Sequence, residues 1–574
     1  MPAVWHPGAV IAHPGFFPAK HSRQRRGSIL GRRRSAEPAG RPEGEVGTIR
    51  KDWGGRLPVA LIYPNRYPVA MSNLGFQALY GLLNAEEDIV CERVVWEEGG
   101  ATPRSLESGR PLADFPVWAF SVPFELDFFH LVSLIRRAGI PLWAEERAPG
   151  DPLLLGGGVA LSANPEPIAP FLDAIGMGEG EGLLPGILGA LREGASREER
   201  LVALSRVEGV YLPAHPGPRP VCRQWVRDLS RFATTSVVLT RQAEFGDVFL
   251  VEISRGCRWG CRFCLAGYLT RPPRYRPLET LRPQFEMGLR HRRRIGLLGA
   301  AVSDHPELDH IVQTILDLGG GFTVASLRAD RVTSLLLEGL RRSGTRTLTL
   351  APEAGTARLR TAIQKGLEAE ALLRAAAMAR QAGIRRLKLY FMVGLPGEED
   401  TDVTGIHELV KEVRDIFRPG RITLNVAPFV PKAHTPFQWA PMAPAPLLED
   451  RLRRLRREVA QLGVTVEPES VAWSRIQGVL ARGDRRLAPV LASMESPSLS
   501  AWRHALVAAG LTEEAYLRER EHDEAFPWEV VDAGVRREIL WQEWEKARQN
   551  EGGKPCPEEP GCRSCGVCAA NEPG

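Results

Sequence analysis

The chain has 574 residues, too many for one compact core, so roughly two to four domains are expected. Hydrophobic residues make up 44% and charged residues 25%, the balance of a globular chain rather than a disordered or collagen-like one. The formal charge of +5 permits an anionic partner without demanding one. No run of about eighteen apolar residues occurs, so no membrane-spanning helix is expected. No apolar segment precedes a cleavage site near the N-terminus, so no secretory signal is expected either. These features predict a cytoplasmic protein, where disulfides are rare. Nine cysteines, seven of them in two tight groups, then read as metal ligands rather than a disulfide framework.

Residues 1–50, rich in Arg, Pro, Gly and Ser, are expected as a disordered basic tail. Its arginines (Arg23, Arg25, Arg26, Arg32, Arg33, Arg34) suit either solvent or nucleic acid. Residues 55–211 alternate strands and helices. "PVALIYP" reads as a buried strand, "SNLGFQALYGLLN" as a helix capped by Ser72 or Asn73, and "VWAFSV" as a second strand. "FFHLVSLIRRAG" is a helix closed by Gly139. "PLLLGGG" and "AIGMGEGE" are strands that run into glycine turns. The alternation predicts a doubly wound, Rossmann-like parallel sheet, whose ligands sit beyond the carboxyl ends of the strands. Gly156–Gly158 and Gly178–Gly182 lie there, either as a ligand cradle or as plain tight turns.

Residues 212–245 read as a linker, and residues 246–445 carry a second α/β series. Six strand–helix units in this stretch predict a partial or full β/α barrel. Residues 446–550 turn helical, as in "LLEDRLRRLRREVAQLG", and residues 551–574 form a cysteine-rich tail.

The stretch "SRGCRWGCRFCLAG" places Cys257, Cys261 and Cys264 within eight positions. A helix would gather the three sulfurs on one face, but Gly256 and Gly260 disfavour a helix. The cluster follows an apolar strand, so it belongs on a loop at the carboxyl end of the first barrel strand, where barrel active sites are built. Three thiolates can hold three irons of a [4Fe–4S] cluster and leave the fourth open to a small molecule. Zinc would want four ligands, and no nearby histidine completes such a set.

"CRWGCRFC", with Phe263 as the aromatic before the last cysteine, resembles the CxxxCxφC signature of radical S-adenosylmethionine (SAM) enzymes. "KLYFMVGLPGEE" and "NVAPFVPKAHTPFQW" resemble late barrel strands of the methylthiotransferase-like branch. "NPEPIAPFLDAIGMGEGE", "SLRADRVT", "TLTLAPEAGTARLR" and "WSRIQGVLARGDRR" look like blocks of a subfamily that joins a cobalamin-binding-like domain to this barrel. So do the closing "FPWEVVDAGV" and "CRSCGVC".

The resemblance implies that Cys257, Cys261 and Cys264 are the catalytic cluster ligands and that SAM is the second cofactor. SAM-binding roles carry over to Phe263, to Gly299 and Ala300 as a small backbone segment, to Ser326 and Arg328, and to Glu353 for the ribose hydroxyls. Gly394 would let the adenine approach the backbone. Asp304 and Lys388 are candidates for the same pocket, or else a turn aspartate and a strand cap. Cobalamin is left open, because none of the twelve histidines stands in a D-x-H-x-x-G setting.

Cys556, Cys562, Cys565 and Cys568 suit a second [4Fe–4S] cluster, a zinc ion or mobile thiols, between which spacing does not choose. Cys91 and Cys222 stand apart and are expected to be buried or inert. The implied activity is reductive cleavage of SAM to drive a radical modification, a methylation or methylthiolation, of RNA or protein. The alternatives are cobalamin-assisted chemistry on a small metabolite and a non-catalytic iron–sulfur sensor. A flavodoxin or ferredoxin would supply electrons. "RLRRLRRE" and "RGDRRL" offer phosphate contacts if the substrate is RNA, or else form solvated helix faces.

Overall fold

A computed structural model describes residues 44–557 and 562–568. The six arginines named above for the expected basic tail lie outside these residues. Its last seven residues are packed rather than disordered: Val46 bridges to Leu239, and Glu45 bonds the buried Arg93. A carboxylate beside a buried guanidinium holds this end of the segment down.

The first sheet comprises β1 (Leu57–Tyr63), β2 (Ile89–Val95), β3 (Val117–Ser121), β4 (Leu153–Gly157), β5 (Ala174–Gly176) and β6 (Val210–Tyr211). Its order is β2-β1-β3-β4-β5-β6, parallel except for the antiparallel edge strand β6. The strand order reverses between β1 and β3, the switch point of a doubly wound sheet. Alternate residues feed two cores: Ala60 and Ile62 on one face, Val59 and Leu61 on the other. That double burial is why the strands read as apolar runs rather than as alternating patterns. Asn73 caps the helix Leu74–Ala85, and Gly139 closes the helix Phe128–Ala138 at a φ of 78°.

The stretch 212–245 is laced into both neighbours rather than hanging between them. It contributes β7 (Val221–Cys222), pairs Gln224 with Gly178, and pairs Thr235 with Val251. Extended backbone laid along strand edges satisfies its own amides, which a free linker would leave to water.

The barrel opens with β8 (Val248–Glu252), followed by the short antiparallel pair β9 (Ser254–Arg255) and β10 (Arg274–Tyr275). Strands β11 (Arg294–Leu298), β12 (Gly321–Val324), β13 (Thr347–Glu353), β14 (Arg386–Val393) and β15 (Arg421–Pro428) follow. A seventh parallel strand, β16 (Thr465–Pro468), extends the sheet beyond the expected boundary at 445. The strands run β8-β11-β12 and β13-β14-β15-β16, joined by a bridge between Leu327 and Leu350. Among the described residues no ladder joins β8 to β16, so the barrel is partial.

The helix Phe128–Ala138 is wedged between the first sheet and the C-terminal helices, with Phe129 edge-on to Trp473 and Trp502. Lys432 and Gln477 both bond the buried Glu125. Arg485 lies 2.8 Å from Glu166, which also accepts from Tyr211 at 2.7 Å. A single apolar core runs through all three regions. Near the chain end, β17 (Val531–Asp532) pairs with β7, and the helix Arg537–Arg548 follows. No described helix is long and apolar enough to cross a membrane.

Candidate active site

The cysteine loop leaves β9 through Gly256, whose φ is 84°. A Cβ there would meet Thr270 O at 2.5 Å and Pro272 O at 2.6 Å, so only glycine lets the chain double back this tightly. The loop is then clamped from behind. Arg262 is fully buried, pairs with Glu543 at 2.9 Å, and donates to the carbonyls of Ala362 and Glu551 at 2.7 Å each. Trp544 and Leu540 of the helix Arg537–Arg548 close the apolar floor beneath Cys261 and Phe263.

Cys257, Cys261 and Cys264 line one cavity with Trp259, Phe263, Ala300, Ser326, Arg328 and Lys365. Its empty volume is about 560 Å³ with the open mouth included. Burial, then the neighbouring Cys261, pushes the Cys257 thiol up to about 12. Burial raises Cys261 and Cys264 as well. Such thiols ionise only beside a strong positive charge, which a coordinated metal supplies.

Glu353, at the end of β13, is fully buried and has a φ of 71°, a left-handed conformation that a side-chain-bearing residue rarely adopts. It pairs with Lys365 at 3.1 Å, and Lys365 carries that carboxylate to the cavity wall. Arg328 lies 3.6 Å from the ring centroid of Trp259 and donates to the carbonyls of Lys365 and Gly366 at 3.0 Å each. Trp259 in turn donates its indole N–H to Asp304. Asp304 thus anchors the cavity rim through the indole.

The structure brings Phe263, Ala300, Ser326 and Arg328 to the cavity wall and sets Glu353 behind Lys365. Gly299 abuts the loop: a Cβ there would meet Ser254 Oγ at 2.3 Å. Gly394 lies elsewhere. Its missing side chain makes room for Leu448, which a Cβ would meet at 2.5 Å. The backbone approach expected there is therefore to a helix of the same chain. Lys388 faces Glu467 at 3.6 Å, away from the lining. Sequence reasoning missed Trp259 and Lys365. Trp259 sits inside the cysteine motif, where an aromatic invites stacking. Lys365 carries no local signal, since it meets Glu353 only after a helix and a turn.

No disulfide links any of the nine cysteines. Cys91 is buried, as expected, whereas Cys222 is exposed beside Asp532 because β7 lies at the edge of a two-stranded pair. The arginines offered for phosphate contact are largely engaged within the chain. Arg451 pairs with Glu398, Arg454 with Glu458, Arg485 with Glu166 and Arg486 with Asp484, while Arg482 bonds the carbonyls of Ala440 and Arg518.

A loop with three thiols over the end of a partial β/α barrel marks a class of iron–sulfur enzymes, and the comparisons place the chain in it. The family described as "Radical SAM superfamily" matches residues 251–410, and "Radical SAM proteins, N-terminal" matches residues 75–213. The chain belongs to the radical SAM superfamily. It is a radical SAM enzyme, with a [4Fe–4S] cluster and SAM as cofactors. It is 28% identical over 446 residues to an uncharacterized protein of Methanocaldococcus jannaschii, covering 77% of this chain and 92% of that one. Among solved structures it is similar to the radical SAM methyltransferase TsrM of Kitasatospora setae with cobalamin and a [4Fe–4S] cluster bound. That match has 12% identity and a TM-score of 0.49, over 79% of this chain and 98% of that chain. It is also similar to the cobalamin-dependent enzyme OxsB, with 16% identity and a TM-score of 0.45, over 62% of this chain and 52% of that chain.

The donor set fits a [4Fe–4S] cluster. Among the described residues no three His, Cys, Asp or Glu side chains converge on one point as a single ion requires. The three thiols instead line a shared cavity, as a core that takes each thiolate on a different iron needs. The glycine turns of the first sheet offer no such cradle for a corrin. A Cβ on Gly158 would meet Val122 O at 2.6 Å, and one on Gly178 would meet Gln224 O at 2.0 Å. The chain's own backbone fills these turns, so no step is assigned to cobalamin.

Proposed function

We propose that Cys257, Cys261 and Cys264 ligate three irons of the cluster, and that SAM occupies the remainder of the same cavity. Once bound, the two cofactors supply one-electron cleavage of the sulfonium and a 5′-deoxyadenosyl radical, with the electron coming from a flavodoxin- or ferredoxin-type protein. The protein's part is to bind, orient and exclude water. The Trp259–Arg328 stack forms a rigid cationic wall suited to the SAM carboxylate. Ser326 and the Ala300 backbone suit its polar edge, and the Glu353–Lys365 pair is a fixed dipole facing the ribose. The floor of Phe263, Leu540 and Trp544 keeps solvent away from the sulfurs.

The reaction we infer is a radical modification of the methylating or methylthiolating type, on a substrate presented at the open mouth of the partial barrel. The resemblance of the late barrel strands supports it. The convergence of three thiols on one cavity with Lys365, which the buried, left-handed Glu353 holds from behind, carries the reading as a whole. Anaerobically reconstituted protein given dithionite and SAM is expected to release 5′-deoxyadenosine or S-adenosylhomocysteine. The variants Cys257→Ala, Cys261→Ala and Cys264→Ala are expected to release neither. Iron-free wild-type protein as silent as the variants would defeat the reading.

A further inference from the structure

The four tail thiols are docked against the cysteine loop. Cys556 N–H donates to Arg258 O at 2.7 Å, immediately beside Cys257, and Arg536 N–H donates to Cys565 O at 3.0 Å. Arg536 also reaches the carbonyl of Ser564 at 3.2 Å. Val567 is buried, 2% exposed, and packs beside Gly534. Arg271 stands between the two groups of cysteines. It lies over the Tyr268 ring at 4.5 Å, and its guanidinium is 2.8 Å from where a Cβ on Gly260 would be. Its charge acts on the Cys565 and Cys556 sulfurs. Arg271 is 8% exposed, so its charge is screened little by solvent.

We propose that Cys556, Cys562, Cys565 and Cys568 hold a second [4Fe–4S] cluster, seated against the back of the Cys257–Cys264 loop with Arg271 between the two.

Three observations separate this from its rivals. A zinc ion needs its thiolates about 2.3 Å from one centre, and no three of these side chains are so arranged among the described residues. A four-iron core places each thiolate on its own iron. Mobile reactive thiols would be free of the fold, yet this tail is anchored by four backbone and side-chain contacts. Finally, four thiolates around an oxidised core carry a net charge of about −2, which the neighbouring buried guanidinium of Arg271 offsets.

The test uses the full chain, reconstituted without oxygen, with iron, sulfide and zinc counted and the reduced protein examined by electron paramagnetic resonance. Wild type is expected to hold about eight irons per chain. The double variant Cys562→Ser, Cys565→Ser is expected to hold about four and to lose one of two cluster signals. The triple variant Cys257→Ala, Cys261→Ala, Cys264→Ala is expected to keep about four irons and the other signal, which guards against a tail variant that merely misfolds. The proposal is overturned if the tail variant keeps the wild-type iron content, or if it loses a stoichiometric zinc instead. A triple variant that keeps all its iron would defeat the loop reading and leave the tail to be judged by its own variant.

Discussion

Lys365 Nζ lies 3.1 Å from Glu353 Oε1, and both side chains are withdrawn from solvent, 7% and 0% exposed. Glu353 holds this pairing in a left-handed conformation that costs about 1–3 kcal/mol for a residue with a side chain. Such strain persists only where the surroundings over-determine it. Here Lys365 lines the cavity that the three thiols share, and Glu353 backs it.

Glu353→Ala strands the Lys365 ammonium in that wall. Removing one partner of a buried pair typically costs about 3–5 kcal/mol, and alanine, which keeps a Cβ, relieves none of the left-handed strain. Denaturant unfolding is expected to show a net loss of about 3–5 kcal/mol. Glu353→Gln, which keeps a hydrogen-bonding oxygen, is expected to lose less. Equal losses for both variants would mean that charge is not what Glu353 provides.

Gly256→Ala places a Cβ 2.5 Å from Thr270 O and 2.6 Å from Pro272 O at a φ of 84°. Both clashes are with backbone, so the loop must shift. Reconstituted Gly256→Ala protein is expected to bind less iron than wild type while its far-ultraviolet dichroism is unchanged. Full iron occupancy would show that the turn tolerates a side chain.

Glu179 gives a pH dependence. Burial alone would raise its carboxyl, but Arg255 and Arg274, at 2.8 and 2.7 Å, outweigh it and hold the group down at about 2. A depressed carboxylate stabilises the fold at pH values above its unfolded pKa, and that contribution fades as pH falls through the folded one. Wild type is expected to be about 2–3 kcal/mol more stable than Glu179→Gln above pH ~5. The gap should close between about pH 4.5 and pH 2. A gap independent of pH would remove the charge argument.

The Glu125–Lys432 pair joins the first sheet to the barrel, and Gln477 bonds the second Glu125 oxygen at 3.0 Å. Lys432→Ala leaves a buried carboxylate and is expected to cost about 3–5 kcal/mol. The double change Glu125→Gln, Lys432→Met removes both charges and should recover most of the loss. A double-mutant cycle read by chemical unfolding measures the coupling.

Local chemistry explains what was legible in advance. The apolar runs of β1, β3 and β4, the Asn73 cap and the Gly139 stop each act through residues a few positions apart, and all stand where periodicity and capping put them. β16 escaped because its four residues, Thr465–Pro468, are short and mostly exposed, with no apolar signature. The stretch 212–245 reads as a linker because its partners, Val46, Gly178 and Val251, are scattered along the sequence outside it.

The amino-acid sequence by itself determined the two α/β blocks, the thiol loop and the radical SAM class, because each rests on short-range spacing that survives without a fold. Only the tertiary structure decided that Lys365 lines the cavity with Glu353 behind it, that Trp259 stacks on Arg328, and that the tail docks on the loop where Cys556 N–H meets Arg258 O. Those contacts join residues far apart in the chain. Their energies come from burial and charge pairing, which exist only once the chain has excluded water from between them.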